Sequence, residues 1–423
     1  TICVTEWAKA LRLRRKSDLS GDKIERNRAE TLVLTRLILL SPFGRGDYKM
    51  DSTDNVKNIR GVAVYEGEEC VWRHCDALAL GKRAFIVTGK HSARQSGAIY
   101  DVMLALCANS IEYFVFDGAT ANPPVMMCHK GGRKCRLAGC DFVIAVGGGS
   151  VIDAGKAIAA FAANPALDED TLYTANVSNA LPIAAVPTTS GTGSEVNNYS
   201  VLTLSDGARK MTYKSAVSYP KAAFLDPRYT ESIADAGAVS CALDALAHAY
   251  ESYLSPKSDR ESREAAREAA CGVLSVLMKK NGNFTREERR TLQLAATSGG
   301  QAIDVTGTGF PHPLGYSITL SLGVPHGRAC ALFFGEYVDF NSSLREGREL
   351  IGEITGFAGY DIDEVKSRIA ELAHNDISLS REVCEEYIDR VAASASFKNS
   401  PYVLSRREMS EIYERLFCRG FAP

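Results

Sequence analysis

Between residues 83 and 187 short apolar runs alternate with helix-like stretches, and each run stops at a strand breaker. The runs at 83–88, 111–116, 141–146 and 181–186 end at Gly89, at Asp117 and Gly118, at Gly147 and at Pro187. Apolar runs this short, bounded by turn residues, read as strands buried on both faces. The intervening stretches, one at about 95–110 and another leading up to Asp141, read as helices. That alternation predicts a parallel sheet with helices on both faces. Beyond Asp226 and Pro227 the texture changes, and 242–254, 262–278, 287–303 and 362–373 carry helical periodicity. The expected architecture is an α/β domain over 58–228 followed by an all-helical domain over 229–423, with no internal repeat or low-complexity segment.

A chain of 423 residues is long enough for two cores. Its 45% hydrophobic and 24% charged residues are ordinary globular values. A net charge of −2 gives no reason to expect nucleic acid or a membrane surface as partner. The longest candidate apolar run, 32–40, is too short to span a membrane and contains Arg36. Twelve cysteines without a C-x-x-C pair or a secretory leader read as reduced thiols of a cytoplasmic protein. Cys128, His129, Cys135 and Cys140 form a loose group whose spacing fits no familiar zinc pattern, so they read as isolated thiols. Residues 1–45 hold ten Lys/Arg against five Asp/Glu and show no strand-turn pattern. Targeting segments are poor in acids, so 1–57 reads as an accessory or poorly ordered extension.

Three groups of residues carry candidate chemistry. Gly147-Gly148-Gly149-Ser150 stands where a strand hands over to a helix, a place where backbone amides can cradle a pyrophosphate. The same residues also suit a tight turn, with Ser150 as N-cap and Asp153 completing a capping pair. Residues 187–195 (PTTSGTGSE) follow the next strand end, with hydroxyls able to bond phosphate, ribose or a nicotinamide amide. A solvated turn would have a similar composition. The third group is Asp244 and His248, one helical turn apart, with His312 and His326 at loop-like breaks beside Pro311, Pro313 and Pro325. One carboxylate and three imidazoles suit Zn²⁺ or Fe²⁺ and leave a position open to substrate. Taken singly, each histidine could equally satisfy a helix face or a loop.

GGGSVIDAGKAIA at 147–159, PTTSGTGSEV at 187–196, LDALAHAYESYLS at 243–255 and HPLGY…PHG at 312–327 together resemble the iron-containing (group III) alcohol dehydrogenase family. The resemblance covers roughly residues 60–420. It implies a Rossmann-like dinucleotide-binding domain, a helical metal-binding domain and a cleft between them. By the same motifs Asp244, His248, His312 and His326 would hold Fe²⁺ or Zn²⁺. Gly148, Gly149 and Ser150 would contact the pyrophosphate, and Thr188, Thr189 and Thr192 would line the cofactor site. Asn122 matches the family's Asn-Pro turn, and Lys210 a basic residue of the hairpin that follows. The implied activity is hydride exchange between NAD(P)(H) and a short primary alcohol or diol in a homodimer or larger assembly.

Two positions depart from that pattern. NAD-using members often carry an acid after the first strand, where this chain has Gly89 and then Lys90. Without that carboxylate a 2′-phosphate is not repelled, so NADP(H) is expected over NAD(H). Tyr316 stands where many relatives have a second histidine in the proton path, and a phenol is a poor base at neutral pH. Two alternatives stay open: a glycerol-dehydrogenase-like or other enzyme on this scaffold, and a non-catalytic homologue acting in binding or assembly.

Overall fold

The computed structural model describes residues 56–279 and 283–418. Most of the expected extension therefore lies outside the described residues, and its last residue, Lys57, already begins a strand.

A seven-stranded sheet has the order β1 (Lys57–Ile59), β2 (Val62–Glu66), β9 (Ala222–Leu225), β6 (Ile183–Pro187), β5 (Phe142–Gly147), β3 (Arg83–Thr88), β4 (Glu112–Phe116). All neighbours are parallel except β1 and β2, and β7 (Tyr199–Thr203) pairs with β8 (Lys210–Lys214) in a separate antiparallel hairpin. The central strands are continuous apolar runs because both faces are covered. Phe85, Val87 and Val143 pack with α2 (Val125–Leu137) and α3 (Gly149–Ala163). Ala84, Ile86, Phe142, Ile144 and Val146 point the other way, onto α1 (Ala98–Ala108). Chain order steps from β3 out to β4 and then back across β3 to β5, so the sheet has its switch point between β3 and β5.

The helical half is built around α4 (Asp235–Leu254), which packs against α5 (Arg260–Leu277) and α6 (Arg286–Thr306). It continues through α7 (Pro311–Leu322) and α8 (His326–Ala331) to a last helix ending at Phe417. Among the described residues no strand follows β9. The expected elements recur with shifted ends. The helix expected at 95–110 begins at Ala98, because Gly97 turns the chain at φ +83° after one helical turn at Ser92–Gln95. The expected capping by Ser150 is replaced by an N-cap at Gly148, with Ser150 inside the first turn of α3. Strands β1, β2 and β9 are not among the expected elements: β1 and β9 are only three and four residues long, whereas β2, at five, matches β4 and β6 in length.

Candidate active site

The two polar loops leave neighbouring strands side by side. Gly147 of β5 pairs in register with Pro187 of β6. A Cβ at Gly148 would stand 2.9 Å from Thr189, and one at Gly149 would stand 2.4 Å from the Thr192 side chain. The glycines thus let the loops close into one cradle at the carboxyl ends of the strands, where open α/β sheets bind ligands. Thr188 Oγ1 and Ser190 Oγ are buried there with no hydrogen-bond partner among the described residues, and buried hydroxyls ordinarily find one. Asn122, with φ +50°, donates its N–H to Ser150 Oγ at 3.3 Å and sits beside the cradle. Gly89 ends the neighbouring strand β3, and Lys90 is exposed just beyond it.

Behind the cradle lies a buried polar network absent from the sequence reading. Asp153 accepts from Ser194 Oγ at 2.6 Å and from the Val201 N–H at 3.0 Å. The Lys156 ammonium donates to Ser194 Oγ, Asn197 Oδ1 and the Tyr199 carbonyl at 2.7, 3.1 and 2.7 Å. Burial pulls the Lys156 pKa down to about 8. Glu195 accepts from Thr297 Oγ1 of α6 at 2.8 Å. Gly193, at φ +59°, lies so close to Gly300 of α6 that a Cβ would meet its Cα at 2.4 Å. The threonine loop is thereby fixed to the helical half.

α4 presents Asp244 and His248 from one face. The prolines expected to mark loop-like breaks instead precede or open helices: Pro311 is the first residue of α7, with His312 in that turn, and Pro325 precedes His326, the first residue of α8. Proline suits a first helical position because its absent N–H has no partner to lose there. The four candidate donor atoms converge, and Cys330 Sγ falls in one cluster with those of Asp244, His312 and His326, all within 4.8 Å of one another. His312 Nε2 is 2.9 Å from His248 Nε2 and 3.4 Å from Asp244 Oδ1, while His326 Nε2 and His248 Nε2 are 3.8 and 3.9 Å from that same oxygen. Tetrahedral bonds of about 2.0–2.1 Å separate ligands by roughly 3.4 Å, which these spacings bracket. Asp244 Oδ1 is buried and has no hydrogen bond of ordinary geometry among the described residues. A divalent cation fits this donor set. His326 keeps 27% of its side chain exposed against 3–6% for the other three, so the site opens on its side.

The electrostatics divide the three imidazoles. Burial lowers His248 to about 4 and His326 to about 3, against the pull of Asp244. Burial also opposes protonation of His312, but the Glu251 and Asp244 carboxylates outweigh it and raise it to about 10. Burial disfavours an ionised Asp244, yet the three imidazoles hold its carboxyl below the usual range. Metal binding would displace the proton from His312, since a ligating imidazole must be neutral.

Tyr316 lies on the open side, its ring 5.6 Å from that of His326 and stacked at 28°. The Lys210 ammonium sits 4.9 Å over the Tyr316 ring, and burial lowers its pKa to about 8. Burial pushes the Tyr316 hydroxyl well above its ordinary value, so at neutral pH it can donate a hydrogen bond but not take a proton. Two neighbours of the metal set were not read from the sequence. Cys330 is one turn beyond His326, its Sγ 3.8 Å from both ring nitrogens and so facing the ring. Glu251, seven residues after Asp244 on the same face of α4, was visible as a carboxylate in that helix but had no partner until the fold brought His312 to it. The loose group at Cys128, His129, Cys135 and Cys140 does not form a metal-capable cluster among the described residues.

Two family models match: iron-containing alcohol dehydrogenase over residues 62–227, and the C-terminal part of the Fe-containing alcohol dehydrogenase family over 238–417. The chain belongs to the iron-containing alcohol dehydrogenase family. It is 31% identical over 310 residues to a 1,3-propanediol dehydrogenase of Klebsiella pneumoniae, covering 70% of this chain and 78% of that protein. It is 26% identical over 361 residues to an NADPH-dependent butanol dehydrogenase of Clostridium saccharobutylicum, covering 81% and 88%. An iron-containing alcohol dehydrogenase structure from Thermotoga maritima superposes with a TM-score of 0.78 at 32% identity, over 84% of this chain and 98% of that one. As a member of this family the chain is an alcohol dehydrogenase-type oxidoreductase, with the α/β and helical halves of that fold.

Proposed function

We propose that this alcohol dehydrogenase reduces short aldehydes, and oxidises the matching primary alcohols or diols, with NADP(H) and a divalent metal, Fe²⁺ or Zn²⁺. The observation that carries the proposal is the convergence of Asp244, His248, His312 and His326 on one orphaned carboxylate oxygen. This site lies close to the threonine loop: Gly191 of that loop packs on the backbone of Cys241, one turn of α4 before Asp244. A metal held there would supply Lewis-acid polarisation of the substrate oxygen, and a bound nicotinamide would supply or accept the hydride.

The chain's own residues do the rest. Gly148, Gly149 and Ser150 offer the amides at the start of α3 to the pyrophosphate, and Thr188, Thr189 and Thr192 offer hydroxyls beside it. Asn122 closes the cradle over Ser150. Lys210 is held over the Tyr316 ring, and Tyr316 stacks beside His326 with a hydroxyl that stays protonated. NADP(H) is supported by the end of β3. Gly89 brings no carboxylate there and Lys90 is exposed, while Arg94, which donates to the Lys90 carbonyl at 3.1 Å, is already paired with Asp117 at 3.6 Å. The butanol and propanediol relatives support a short unphosphorylated substrate. We further propose a cytoplasmic homodimer or larger homo-oligomer; among the described residues no helix is long and apolar enough to cross a membrane.

The test is NADPH oxidation with butanal, on protein loaded anaerobically with Fe²⁺. Turnover that a chelator removes and added metal restores is the expected result. Turnover that survives complete metal removal would overturn the proposal.

A further inference from the structure

The Glu251 carboxylate is fully buried and receives two donors. His312 Nδ1 lies 2.8 Å from both of its oxygens, and the Gly309 N–H donates to Oε2 at 2.6 Å. Among the described residues its ion-pair partner is His312, and no lysine or arginine bridges to it. An unpaired buried carboxylate is costly, so this one has been placed where it acts on the ring. Asp244, His248 and Glu251 share one face of α4 at i, i+4 and i+7. One helix therefore provides two ligands and the brace for a third from α7. Within the quartet His312 is the imidazole whose Nδ1 meets a carboxylate; Nδ1 of His326 has Thr319 Oγ1 at 3.5 Å and Cys330 Sγ at 3.8 Å.

We propose that Glu251 is a positioning residue for the metal site. It holds His312 in the tautomer with a proton on Nδ1, aims the Nε2 lone pair at the space shared with Asp244 and His248, and makes that nitrogen a stronger donor. The inference rests on the metal reading above. An ionised carboxylate offers an acceptor to both donors. A glutamine of the same shape offers one oxygen. If that oxygen serves the Gly309 N–H, its amide N–H faces His312 Nδ1 and favours the tautomer with the proton on Nε2, which cannot ligate. If it serves His312, the Gly309 N–H faces another donor. Outer partners of this kind change metal affinity by about 10–100-fold.

The experiment titrates metal-free full-length protein with Co²⁺ alone, against a chromophoric chelator, in wild type, Glu251→Gln, Glu251→Ala and Glu251→Asp. The expected result is one Co²⁺ per chain in wild type and affinity about 10–100-fold weaker in the glutamine variant. The visible Co²⁺ bands should shift as the His312 donor changes. The aspartate variant keeps the charge at a longer reach and should recover part of both the affinity and the spectrum. A packing role alone would lower the melting temperature of the metal-free variants and leave bands and affinity in place. Wild-type affinity and bands in Glu251→Gln would overturn the positioning role, and the same result in Glu251→Ala, which removes the carboxylate, would do so if the glutamine variant does not fold. Failure of the wild type itself to bind Co²⁺ would overturn the metal reading, and this inference with it.

Discussion

Gly327 allows α8 to sit directly against α4, and replacing it tests whether the metal quartet depends on that contact. A Cβ at 327 would lie 1.8 Å from the Ser240 carbonyl oxygen, 2.7 Å from the Asp244 nitrogen and 2.8 Å from Asp244 Cβ. Ordinary contact begins near roughly 3.5 Å, so in Gly327→Ala α8 must retreat from α4 by roughly 1.5 Å. His326 is the first residue of α8, and its Nε2 is 3.8 Å from Asp244 Oδ1. Ligand distances tolerate changes of only about 0.2 Å, so the retreat removes His326 from the set. Overpacking costs about 1–3 kcal/mol, or a few degrees of melting temperature in a chain this long. The variant should therefore fold yet bind metal more than about 100-fold more weakly, beyond the loss expected from an outer partner. Metal content after dialysis and chelator competition give the readout. A folded Gly327→Ala protein with one tightly held metal per chain would refute the idea that this close approach sets the ligand geometry.

Three further predictions concern the cofactor half. Gly89→Asp should lower kcat/KM for NADPH by about 100-fold and spare NADH, since like charges brought together cost several kcal/mol; steady-state kinetics with both cofactors decide it. Gly149→Ala puts a methyl 2.4 Å from the Thr192 side chain and should weaken NADPH binding by about 10-fold or more, or about 1.4 kcal/mol, while Co²⁺ affinity stays at the wild-type value. Burial lowers the folded-state pKa of Lys156 to about 8, below its unfolded value of 10.5. Between those pH values the unfolded chain binds more protons at this site. Wild type should therefore gain up to about 3 kcal/mol relative to Lys156→Met as pH rises from 7 towards 10.5; urea unfolding of both proteins across that range measures it.

How much was legible in the sequence varied with the range of the interaction. Strands β3, β5 and β6 announced themselves because a strand covered on both faces must be apolar throughout. Asp244 and His248 declared a shared helix face by spacing alone. His312 and His326 were visible as candidates, but the adjacent prolines were read as breaks when they mark helix starts, an ambiguity that local sequence leaves open. Glu251 and the Asp153–Lys156–Ser194 network were not legible, because their partners lie 58 to 61 residues away for Glu251 and 38 to 48 for the network. Distances of that kind are set by tertiary packing. The edge strand β1, three residues long, lacks enough residues to show a period.

The most direct test of the central claim follows deuterium from cofactor to product. NADPH stereospecifically deuterated at the transferable 4-position, with butanal and metal-loaded protein, should yield butanol deuterated at carbon 1. Asp244→Ala and chelated wild type should form none. Butanol formed without deuterium, or deuterium transfer unaffected by loss of the metal, would contradict an account in which the four ligands and the glycine–threonine cradle serve one reaction.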